Sequence, residues 1–176
     1  YRTQSRASFE KWRDAVPDGF VFTLKASRFC TNRRVLAEAG ESIAKFLSQG
    51  LTELGDKLGP INWQFAPTKK FDPDDFEGFL ALLPKTHHGI TLRHALEVRN
   101  PSFAVPEFVA LAERHGCAIC YAHHHDYPEF ADVTADVGRQ RNRLDQRGIA
   151  NQLREWGAQV LSHFFDEQIP FGVYGR

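Results

Sequence analysis

Apolar and polar positions along this chain switch repeatedly between a helical period and short apolar runs of strand type. Residues 5–16 place Phe9, Trp12 and Val16 along one side of a short helix, which Pro17-Asp18-Gly19 breaks. Residues 20–26 are short, apolar and rich in aromatic and β-branched side chains, and read as a buried strand. Thr31 and Asn32 are candidate caps for a long helix with its stripe on Leu36, Ala39, Ile43, Leu47, Leu51 and Leu54. Gly59-Pro60 is expected to stop that pattern before a second strand at 61–66. Asp72 caps a helix opened by Pro73 and ended by Pro84. A third strand is expected at about 92–98. A helix then runs from Pro106 to a Gly116 C-cap, and a fourth strand covers 117–122. Beyond Val133 the pattern weakens; 149–165 is helix-like and 169–174 strand-like.

Apolar strands alternating with amphipathic helices predict an α/β fold, with a parallel sheet covered by helices. No repeat or low-complexity linker divides the chain, so residues 1–176 read as one domain. Apolar residues at 42% and charged residues at 25% are ordinary for a folded protein. Lys plus Arg equals Asp plus Glu at 22 each, so no global field points to nucleic acid or to an anionic membrane. The basic run 139–147 carries no interleaved aromatic platform, and a solvated loop is its simpler reading. No stretch approaches the roughly 20 apolar residues of a membrane span and no signal-peptide pattern opens the chain, so a cytoplasmic protein is expected. The absence of any methionine leads us to expect an amino terminus that is not fully represented. Cys117 and Cys120 stand three apart and face opposite sides of one strand; with Cys30 they are expected to be small buried side chains rather than a zinc or redox pair.

The segments F-E-K-W-R-D-A-V-P-D-G-F-V-F-T-L-K-A-S-R-F-C-T-N, L-G-D-K-L-G-P-I-N-W-Q-F-A-P and H-A-L-E-V-R-N occur in this order. Together they resemble the YecE-like family, known as domain of unknown function 72, over about residues 1–136. The resemblance implies a TIM (β/α) barrel-like fold with outer helices, with two strands upstream of Tyr1 missing here. The family's activity is generally unassigned. Its members more often carry His where Asn32 and Asn100 stand, and acidic residues where His123, His124 and His125 follow the fourth strand. The part after about residue 136 departs from the family pattern.

A parallel barrel builds its site at the carboxyl ends of its strands. Lys25 ends the first strand with Arg28 beyond it, Gln64 lies late in the second, and Glu97 and Arg99 close the third. Lys25, Arg28 and Arg99, with Gln64, would hold an anionic group, and Glu97 would serve as general base or metal ligand, with Lys25 beside it. A salt-bridge layer between strands explains the same residues without a ligand. His123 and His125 are weak metal candidates, and an exposed polar loop is the simpler reading. His87-His88 falls at the opposite face. No nucleotide-cofactor, P-loop, nucleophile-elbow or H-E-x-x-H motif is present. The sequence therefore leads to a barrel protein binding a small anionic or phosphorylated ligand, with a divalent metal as an open possibility. The alternatives are a non-catalytic binding or scaffold protein, and a metal-dependent phosphodiesterase acting on nucleic acid.

Overall fold

The computed structural model describes residues 3–120 and 127–130, and the backbone alone of 159–160 and 174–175. Helix α1 (Arg6–Asp14) starts where the Ser5 hydroxyl accepts from the Ser8 amide at 3.3 Å, satisfying a donor that has no partner within the helix. It buries Phe9, whose ring meets Trp12 edge-on with centroids 5.2 Å apart. Strand β1 (Phe22–Lys25) follows, then a single helical turn α2 (Arg28–Thr31) capped by Ser27.

The long helix expected from Thr31 or Asn32 to Leu54 is broken into pieces. A 3₁₀ turn at Leu36–Glu38, helix α3 (Gly40–Leu47) and a second 3₁₀ segment at Leu51–Lys57 replace it. Gly50 and Gly55 take φ of 97° and 57°, a left-handed backbone that no continuous helix contains. A Cβ at Gly50 would also come within 2.9 Å of the Arg6 backbone. All six apolar positions of the expected stripe are nonetheless buried, so the periodicity identified the inward side while glycine geometry decided continuity.

Strand β2 (Leu58–Gln64) starts three residues earlier than the expected strand and takes in Gly59-Pro60. Gly59 is required there by close packing: an added Cβ would lie 2.6 Å from Val21 Cγ1 and closer still to the Phe22 carbonyl oxygen. Helix α4 (Pro73–Ala81) is capped by Asp72, which accepts from the Asp75 amide at 3.1 Å. A hairpin of β3 (Thr86–His87) and β4 (Ile90–Thr91) precedes the next sheet strand. Its turn residues His88 and Gly89 both have positive φ, 48° and 79°, the signature of a type I′ turn. Strand β5 (His94–Glu97), a 3₁₀ turn at Pro101–Phe103, helix α5 (Pro106–Arg114) and strand β6 (Ala118–Ile119) complete the main body. Gln159–Val160 (β7) pairs antiparallel with Tyr174–Gly175 (β8). Val160 thus joins a strand inside a stretch expected to be helical, a choice consistent with the strand preference of β-branched and aromatic residues.

The main sheet runs β1-β2-β5-β6, with all neighbours parallel. Sequential parallel strands joined through helices make this an α/β fold. One sheet face carries Phe22, Leu24, Ile61, Trp63, Phe65, His94, Leu96 and Val98, all buried in one core with the helices. Trp63 packs on Phe46 and Phe79, and Phe65 on Phe76 and Phe79, at centroid distances of 5.2–5.9 Å. Such offset and edge contacts add about 0.5–1.5 kcal/mol per pair beyond area burial. Within that core Trp63 Nε1 donates to His94 Nδ1 at 3.1 Å, so the His94 proton sits on Nε2 and is donated to the Pro84 carbonyl 2.9 Å away. Among the described residues, no helix is long and apolar enough to cross a membrane.

Candidate functional site

Strand alternation puts the other residues of the same strands on the opposite face, where Lys25, Asn62, Gln64 and Glu97 are only partly buried. The register sets Lys25 beside Asn62 and Gln64 beside Glu97. Arg99 lies two residues past Glu97 and returns to the same carboxylate.

Glu97 is the hub. Its Oε1 accepts from Gln64 Nε2 at 2.7 Å, Arg99 Nε at 2.8 Å and Arg99 Nη2 at 2.6 Å, while Oε2 accepts from Asn62 Nδ2 at 2.9 Å. Burial on its own pushes the Glu97 carboxyl up. The Asn62 and Gln64 donors and the Arg99 guanidinium outweigh burial and hold it below its ordinary 4.5. It is therefore a carboxylate at neutral pH, with one oxygen crowded by three N–H groups. Such a carboxylate orients its donors well and accepts a proton poorly, which weighs against the general-base role expected from sequence. The Arg99 guanidinium also lies 5.1 Å from the centre of the Tyr127 ring.

Lys25 differs from the buried Lys57 and the part-buried Lys69. Lys57 Nζ donates to the Arg13 and Val16 carbonyls at 2.9 and 2.8 Å. Lys69 Nζ donates to the Arg34 carbonyl at 2.8 Å and to Asp75 at 2.7 Å. Lys25 has no such partner among the described residues. Burial lowers its pKa, the Glu97 charge opposes that fall, and the Arg99 charge adds to it. An ammonium that is partly desolvated, sits beside a second cation and lacks a hydrogen-bond acceptor is poised for an anionic ligand. A lysine of lowered pKa also holds more of the free amine that takes up a proton or adds to a carbonyl.

The structure brings Lys25, Gln64, Glu97 and Arg99 onto one face. Arg28 is exposed on α2 with its guanidinium over the neighbouring Phe29 ring at 5.6 Å, and it is not among the groups that hold Glu97. His123 and His125 lie outside the described residues. Among the described residues, no three His, Cys, Asp or Glu side chains lie together as a metal site. Sequence reading passed over Asn62, although its spacing of two from Gln64 assigns it to the same face. Cys117 and Cys120 face opposite sides as expected from their spacing: the Cys120 thiol lies 3.9 Å from Asn62 Oδ1 on the site face, while Cys117 is buried on the other side. Burial, helped by the Glu97 charge, raises the Cys120 thiol to about 12, so no thiolate nucleophile is present at neutral pH.

Solved structures with the same fold are DUF72 family proteins. One from Enterococcus faecalis is 19% identical, with a TM-score of 0.60 over 89% of this chain and 72% of that one. Another structure from that organism is 22% identical, with a TM-score of 0.57 over 77% of this chain and 53% of that one. One from Thermotoga maritima is 20% identical, with a TM-score of 0.56 over 77% of this chain and 54% of that one. The chain thus spans about half the length of two of these structures. No curated protein matches it. The family described as "Protein of unknown function DUF72" matches residues 1–170, and the chain belongs to that family.

Proposed function

We propose that this chain is part of a β/α barrel that binds a small anionic ligand at the carboxyl ends of its strands, with Lys25 and Arg99 as the cationic contacts. The observation that carries this reading is the imbalance on the site face. Among the described residues two cations, Lys25 and Arg99, meet one carboxylate there, and that carboxylate is spent on Arg99, Gln64 and Asn62. Glu97 serves to fix the Arg99 fork, and Gln64 and Asn62 lock the carboxylate in turn. Carboxylates and phosphate monoesters both fit a point charge beside a planar guanidinium. Chemistry on the bound ligand would run through the Lys25 amine. The non-catalytic alternative draws on the same Glu97 geometry, since a carboxylate saturated by neighbours serves binding as readily as turnover.

Thermal shift against a panel of phosphorylated and carboxylated metabolites at low salt tests the reading. At least one compound is expected to raise the melting temperature, with the shift lost in Lys25→Ala and in Arg99→Ala. A panel with no stabilising compound, or a shift that survives both substitutions, overturns it.

A further inference from the structure

A second positive feature shares no lining residue with the Glu97 face. The loops after β1 and β2 enclose an open cleft of about 450 Å³ lined by Asn32, Arg33, Arg34, Thr68, Lys69 and Lys70. Its size falls within the roughly 300–1,000 Å³ of small-molecule sites. Four of the six residues are cationic on a chain whose formal net charge is zero. Among the described residues, the carboxylate that bonds into this group is Asp75, which holds Lys69.

Both walls are fixed by the protein itself. Arg33 Nη1 donates to Ser42 Oγ at 3.0 Å. Asp75 accepts from both Lys69 Nζ and the Ala37 amide, and Lys69 also reaches the Arg34 carbonyl, so one carboxylate and one ammonium clip the two loops together. On the far side Asn100 donates to the Pro67 carbonyl, and the Phe71 amide donates to Ser102 Oγ at 2.8 Å, bracketing Thr68–Lys70. Arg34 and Lys70 are exposed, and their side chains have no partner among the described residues. Holding like charges together is unfavourable, and a rigid frame that does so favours binding of a multiply charged anion.

We propose that this cleft is an oligophosphate site. It takes a di- or triphosphate group, with the Arg33 and Arg34 guanidiniums and the Lys70 ammonium on the phosphate oxygens, Asn32 and Thr68 as neutral partners, and Lys69 holding the two loops in place. It is independent of the ligand read for Lys25 and Arg99.

Calorimetric titration of the full chain with inorganic tripolyphosphate in about 50 mM salt, where screening is modest, tests it. Binding is expected, with affinity falling about tenfold or more in Arg34→Ala/Lys70→Ala. The matched surface control Lys11→Ala/Lys45→Ala is expected to change it less than about twofold. Lys25→Ala is expected to leave it intact, which separates this site from the one on the Glu97 face. Absence of binding overturns the proposal, as does equal weakening in the two double variants or loss of binding in Lys25→Ala. Tighter binding of a short single-stranded oligonucleotide, lost in Arg34→Ala/Lys70→Ala, would replace it with a nucleic-acid backbone interface.

Discussion

Glu97→Gln probes the site directly, because it keeps the shape of the side chain and removes only the charge that organises the face. The Glu97 side chain is 15% exposed and that of Arg99 28%, so their pairing is mostly shielded from water. Removing one partner of a fully buried pair costs about 3–5 kcal/mol. The residual exposure of Arg99 returns part of its hydration, which brings the expected loss at pH 7 to about 2–3 kcal/mol. The Asn62 contact should contribute little to that loss, since its amide can rotate to offer Oδ1 to the amide introduced by the substitution. The pH dependence carries the sign. Glu97 titrates below its ordinary 4.5 in the folded chain, so its contribution is fully present above that value. The contribution is lost as pH falls through the lower folded value. Urea unfolding of wild type and Glu97→Gln from pH 7 to pH 3 should therefore show a gap that closes on acidification. A cycle with Arg99→Met should return a coupling of about 1.5–3 kcal/mol. A variant within about 0.5 kcal/mol of wild type at pH 7, or a gap that persists unchanged at pH 3, would refute the reasoning.

Other perturbations test the frame around the site. His94→Phe leaves Trp63 Nε1 and the Pro84 carbonyl without partners and should cost about 2–4 kcal/mol by chemical denaturation. Burial holds the His94 pKa below its ordinary 6.5, so wild type should lose stability as pH falls from that value, whereas the variant should be flat there. Gly59→Ala drives a methyl into the Phe22 backbone and should destabilise by about 2–4 kcal/mol, with equal midpoints for Gly59→Ala and wild type as the contrary result. The Cys30, Cys117 and Cys120 thiols, all raised by burial to about 12, should label slowly with a disulfide reagent at pH 8 and promptly in denaturant. Fast labelling of the native chain would contradict that arrangement.

Much of the scaffold was legible because burial leaves a period in the sequence. The stripe of Leu36, Ala39, Ile43, Leu47, Leu51 and Leu54 is buried as read. The segment failed as one helix because backbone handedness at Gly50 and Gly55 has no hydrophobic signature. The hairpin at His88-Gly89 escaped for a related reason. Its strands are two residues each, too short for any alternation to register, and only the positive-φ turn marks it. In the site, position at the carboxyl ends of the strands was enough to group Gln64, Glu97 and Arg99. It could not reveal that Gln64 joins Arg99 on one Glu97 oxygen, because that depends on parallel register between strands distant in the chain.

That convergence is what separates the roles of the charged residues. A lysine and a glutamate on one sheet face, here on β1 and β5 with β2 between them, are most simply read as an ion pair, in which case neither has capacity left for a ligand. Here Glu97 satisfies its oxygens with Asn62, Gln64 and Arg99 instead, and no direct bond to Lys25 forms. Lys57 and Lys69, buried to a comparable or greater degree, each find two acceptors within the fold. A fold that supplies acceptors to those two lysines and leaves Lys25 half-buried with no acceptor among the described residues keeps on its site face a positive charge opposed only through space by Glu97. That charge is costly in the free protein, and an anion bound there would remove the cost. The same logic predicts that Lys25→Met, which keeps the stem and deletes the charge, raises stability while abolishing ligand-induced thermal shifts. A destabilised Lys25→Met chain would mean that the Lys25 ammonium already has a hydrogen-bond partner in the folded protein.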